Sequence, residues 1–268
     1  MQATNAPVVV ALAFLLSLTT LAQAQRTDGL VLWWQFGEAG GTKAYDSSGN
    51  GNTGTLDSSM TRPADASGQR AVRMPPSGYP PVSASDAPEL NPGTGDFTIA
   101  FWVRVAAVPT SGTAVTYLAK ALYWDGGEMG VFMYNYQGTD YYAIPSAAID
   151  VPMGAGTTSW KHLTATRRAN AITTYGNGIL VNNANTDTRT LSNTRSFTVG
   201  AASNDVWSCG DCRFRDVRFY RRALSAAEVA EVYRQGLVAP MPASVAHLAA
   251  LLLAPAAKGS FFQFFNQP

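Results

Sequence analysis

The chain has 268 residues, 46% hydrophobic and only 14% charged, with a formal net charge of +1. That balance excludes an electrostatic case for nucleic acid or an anionic membrane as partner. Glycine (24) and proline (15) are near average usage, so disorder is not indicated for the whole chain, and the length suits one large β domain or two small ones.

The first element is an apolar run from Val8 to Leu21, followed by the A-x-A pattern Ala22-Gln23-Ala24. It reads as a secretory signal peptide over residues 1–25, with an uncleaved anchor as the alternative; the run is short of the roughly 20 residues that a membrane span needs. From residue 26 to 236 the chain reads as one all-β domain. Leu30 to Phe36 is apolar and aromatic. In Asp96 to Val105, the residues Phe97, Ile99, Phe101, Val103 and Val105 fall on one face of an alternating run. Trp160 to Arg167 alternates too. So does Phe214 to Tyr220, with Phe214, Asp216, Arg218 and Tyr220 opposite Arg215, Val217 and Phe219. Period-two runs of this kind predict strands. Asn50-Gly51, Gly126-Gly127 and Asn177-Gly178 favour turns with positive φ, and the last predicts a hairpin between Ile172–Tyr175 and Ile179–Val181. Ser225 and Glu228 form a capping box, which predicts one short helix stopped by Gly236 and packed at an end of the sandwich. Residues 237–268 form a low-charge apolar tail, with His247 and Lys258 as its basic residues. Its apolar stretch is broken by Pro255 and is short for a span; a weakly ordered tail, an anchor and a sorting signal all remain open.

Six segments, in order, resemble one family. They are Leu30–Glu38, the loop Asp46–Gly54, the strand Phe97–Val103, the strand Trp160–Thr166, the hairpin Ile172–Leu180, and Phe214–Tyr220 with the following Arg221–Ser225 and helix. Together they resemble the laminin G-like, concanavalin A-like lectin-glucanase jelly-roll family over residues 29–236. Gly37, Gly176 and Arg215 depart from its usual residues. The resemblance implies a two-sheet antiparallel jelly-roll sandwich with one short C-terminal helix, and a secreted binding module for glycan or for an extracellular protein.

Asp46, Asn50 and Asn52 are spaced by glycines and offer oxygens of the kind that calcium takes, and the resemblance brings Asp216 towards them. The other reading is a hydrogen-bonded turn, since Asp and Asn cap their own backbone. Tyr123, Trp124, Tyr134, Tyr136, Tyr141 and Tyr142 are candidate ligand contacts, with Asn135, Gln137 and Asp140 as polar partners for sugar hydroxyls. Trp33, Trp34, Trp102 and Trp160 lie in strand patterns and read as core. Cys209 and Cys212 read as a structural disulfide in an exported chain; free thiols and redox or metal chemistry are the alternatives. Glycoside hydrolysis needs paired carboxyl groups, and no strand carries closely spaced acids. A polysaccharide-degrading enzyme is therefore the third reading, behind glycan binding and protein adhesion.

Overall fold

A computed structural model describes residues 27–110, 112–122, 129–202 and 207–237. The signal peptide, the turn at Gly126-Gly127, Tyr123, Trp124 and the tail beyond Leu237 lie outside the described residues.

Two antiparallel sheets form a sandwich. The first runs in the order β1 (Leu30–Trp34), β15 (Arg213–Tyr220), β6 (Phe97–Arg104), β11 (Lys161–Arg168), β12 (Ala171–Gly176) and β13 (Ile179–Thr186), with β4 (Val72–Arg73) also on β15. The second runs β10 (Ile149–Ala155), β9 (Thr139–Ile144), β8 (Phe132–Tyr136), β7 (Ala114–Ala119), β14 (Phe197–Val199), β5 (Val82–Ala84), β3 (Gly54–Thr55) and β2 (Lys43–Ala44). The expected alternation in β6 holds: Phe97, Ile99, Phe101 and Val103 enter the core between the sheets, against Leu163 and Ala165 of β11 and Tyr117, Met133, Tyr142 and Val151 of the second sheet. Burying each large apolar side chain here contributes about 1.5–3 kcal/mol relative to leaving it in water. The hairpin also forms as expected. β12 pairs with β13, and Asn177 (φ 52) and Gly178 (φ 77) both take the positive φ of a tight primed turn.

β15 departs from simple alternation. Its register on β6 slips between Arg215 and Arg218, and Asp216 takes φ 53. This bulge inserts one residue, so the alternation restarts after it. Phe214, Val217 and Phe219 all reach the inter-sheet core, while Tyr220 joins the cluster on the opposite face.

The helix α1 (Ala226–Leu237) starts as its sequence predicts. Ser225 N–H donates to Glu228 Oε2 at 2.8 Å and Glu228 N–H to Ser225 Oγ at 3.3 Å. Two expectations change. The helix lies across the outer face of the first sheet rather than at an end of the sandwich: Val229 and Val232 pack with Leu224 onto Leu30, Trp33, Ala100, Tyr175 and Tyr220. Gly236 lies inside the helix rather than stopping it. A Cβ there would sit 2.0 Å from the Trp102 indole nitrogen, so the glycine exists for close packing.

Candidate functional site

On the outer face of the second sheet, the tyrosines of β8 and β9 separate by strand geometry. Successive side chains point to opposite faces. Tyr142 therefore goes into the core beside Phe97, fully buried, with burial pushing its phenol well up in pKa. It is not placed to touch a ligand. Tyr134 and Tyr141 point outward and are direct cross-strand partners. Their rings stack with centroids 5.4 Å apart and planes 27° apart. Trp207, which sequence reasoning missed, stacks on Tyr134 at 6.2 Å and 18°. Among the described residues the result is a row of three near-parallel rings in which Tyr134 is 5% exposed while Tyr141 and Trp207 are half-buried. Tyr134 Oη donates to Asp150 Oδ1 at 3.0 Å, and Asp150 on β10 is exposed. Tyr136 stands apart, exposed near the β8–β9 turn, and its hydroxyl accepts from the Gln137 amide.

Trp207 is held by its own backbone. Thr116 N–H on β7 donates to Trp207 O, and Cys209 N–H donates to Gly200 O at 2.7 Å. Cys209 and Cys212 form the expected disulfide, buried beneath this loop. Glycine makes the packing behind it close: a Cβ on Gly210 would lie 2.1 Å from Pro76 O.

Two predicted polar partners have other work. Asp140 is buried, and its carboxylate accepts from Tyr117 Oη (2.8 Å), from Asn135 Nδ2 (2.7 Å) and from Lys161 Nζ. Burial, and then the Asp140 charge, push the Tyr117 phenol well up in pKa. This network lies between the sheets and faces no ligand.

The carboxylate oxygens of Asp46, candidate calcium ligands, already have protein partners. Asp46 Oδ1 accepts from the N–H groups of Trp33 and Ser48, and Oδ2 from Ser48 Oγ and Asn52 N–H, all at 2.8–2.9 Å. Those donors use the four lone-pair sites of an ionised carboxylate. The Asn50 and Asn52 side-chain amides donate through Nδ2 to Leu30 O and Val31 O. Asp216 accepts from the Trp33 indole and from Arg218 Nε, both at 2.7 Å, on the helix-covered face. Among the described residues no group of three or more His, Cys, Asp or Glu is arranged to hold a metal. Asp46, Asn50, Asn52 and Asp216 thus serve a hydrogen-bonded turn and an ion pair here, and a calcium shell of six to eight oxygens would require the Asp46 carboxylate to give up its protein donors.

On the first sheet, Trp34 is core, whereas Trp33 and Trp102 lie beneath α1. Arg215 stands 5.1 Å from the Trp102 ring and 4.4 Å from that of half-buried Trp160. His162 is fully buried here, and burial pushes its imidazole down to about 3.

Solved structures share this fold. The binding domain of Paraclostridial Mosquitocidal Protein 1 matches with TM-score 0.62 and 19% identity, over 79% of this chain and 53% of that one. The binding domain of botulinum neurotoxin DC, solved in complex with rat synaptotagmin II, matches at 0.60 and 13%, over 79% and 52%. The botulinum neurotoxin type G receptor binding domain matches at 0.58 and 18%, over 78% and 51%. This chain spans about half the length of each, and at these identities the likeness is one of fold. No curated protein matches the sequence. The family model of the concanavalin A-like lectin/glucanases superfamily, a laminin G type, matches residues 76–230; that is more than half of the 268 residues, and the chain belongs to this superfamily.

Proposed function

We propose that this chain is an extracellular, non-catalytic binding module that takes glycan on the outer face of its second sheet. The observation that carries this reading is the ring row: Tyr141 and Trp207 are half-buried on either side of Tyr134, with the exposed Asp150 carboxylate beside them. Sugar rings present C–H faces to aromatic rings, and their hydroxyl groups need a few placed polar atoms. The similar toxin structures are binding domains by name, which supports a binding role here. The buried disulfide supports an oxidising compartment. The test is retention of the full chain on insoluble polysaccharides, with released sugar ends assayed in the same wells. Retention without new ends, lost in Tyr141→Ala and Trp207→Ala, is expected. Equal retention of both variants would overturn the site, and new ends would overturn the non-catalytic reading.

One observation favours protein adhesion instead. The edge strand β13 exposes Ile179, Leu180 and Val181 in succession, at 71%, 51% and 42%. Exposed edge strands invite pairing with another chain. If Ile179→Lys abolishes capture of a matrix protein while polysaccharide retention is absent, this second reading replaces the first.

A further inference from the structure

The strands that build the candidate face carry an uneven charge. β7 to β10 (AVTYLA, FMYNY, TDYYAI and IDVPMGA) contain no lysine and no arginine, and their acids are Asp140 and Asp150. Asp140 is buried and neutralised by Lys161. Asp150 is exposed, and among the described residues its carboxylate has no ion-pair partner and one hydrogen bond, the 3.0 Å contact from Tyr134 Oη, which ties it to the ring row. In register, Asp150 pairs with Ala143 and Pro152 with Tyr141, so Asp150 lies on the diagonal from the half-buried Tyr141 ring. Diagonal neighbours on one sheet face are within reach of long side chains and ligands. The opposite sheet handles its rings differently, with the guanidinium groups of Arg215 and Arg218 at 4.4 Å from Trp160 and 4.7 Å from Trp33.

We infer that the glycan bound on this face carries a protonated amine, an amino sugar without its acetyl group, whose ammonium pairs with Asp150 while the sugar ring lies against Tyr141. The inference rests on the glycan reading of the same face. An ammonium gains both from the carboxylate and from the negative faces of the neighbouring rings. A uronate or sulfated sugar would instead meet Asp150 with like charge, and nothing basic on these strands would offset that repulsion.

The test uses the full chain and soluble probes: a β-1,4-linked N-acetylglucosamine hexamer, its fully de-acetylated counterpart and a galacturonate hexamer. Titration at low salt is expected to give about fivefold tighter binding of the amine hexamer than of the acetylated one, the size of an exposed ion pair, with no binding of the uronate. The ratio should shrink towards one as salt screens the pair. Asp150→Asn keeps an oxygen for Tyr134 and should bring the ratio to about one, whereas Tyr141→Ala should weaken both hexamers. Equal or better binding of the acetylated hexamer, or an unchanged ratio in Asp150→Asn, overturns the amine and leaves the glycan reading standing. Binding of none of the probes or of any polysaccharide overturns both.

Discussion

The outer face of the first sheet lies under α1, where Trp33, Trp102, His162 and Tyr233 are packed with Arg215 and Arg218. The outer face of the second sheet holds Tyr134, Tyr141 and Trp207 with Asp150 at its margin, and among the described residues no helix crosses it. Both faces are rich in aromatic rings. On the first they fill the space beneath a helix and are matched to internal cations; on the second they form a row whose ends keep part of their surface in water. What cover a ring receives decides its role more than which ring it is.

Several experiments sharpen or break this contrast. Trp102→Ala should cost about 3–5 kcal/mol in urea unfolding, because it empties space under α1. Trp207→Ala should cost about 1 kcal/mol, the scale of a lost aromatic pair, while polysaccharide retention falls at least about tenfold. Equal costs at the two positions would mean that the faces do not differ as described. Next in size is the acid response of the covered face. The folded imidazole of His162 sits at about 3 because it is buried, against an ordinary value of 6.5. Above 6.5 neither state binds a proton there and stability is complete; as pH falls from 6.5 towards 3 the unfolded chain takes a proton that the folded chain refuses. Stability should drop by about 1.4 kcal/mol per pH unit in that window, and His162→Leu should flatten the slope. Asp46→Ala leaves backbone N–H groups without acceptors and should cost about 1–3 kcal/mol, equally with calcium or chelator. A chelator-sensitive melt of the native chain would restore a metal to that loop. Ser225→Ala should cost about 1 kcal/mol through loss of the helix cap, with polysaccharide retention unchanged.

The scaffold was readable because its signals are local. Phe97 to Val103 alternate without interruption, Asn177-Gly178 takes the turn it favours, and Ser225 with Glu228 caps α1 as spaced. The site was only half readable. Tyr141 and Tyr142 are adjacent, so one had to face inward, but their sequence does not say which; the pairing of Tyr142 with the inter-sheet core decides it. Trp207 carries no periodic signal at all. It reaches Tyr134 because its loop returns across β7 through the bond from Thr116, a meeting of residues far apart in sequence. Asp216 misled in another way, since a bulge leaves no mark in a run whose residues still look alternating.

β1 and α1, the first and last described elements, both belong to the first sheet's side, where Leu30 shares a cluster with Val229 and Val232. A tether attached ahead of Thr27 or after Leu237 therefore leaves from the layer opposite the ring row. Grafted onto a bead, a cell wall or a neighbouring module by either end, the domain would hold its aromatic face away from its own support.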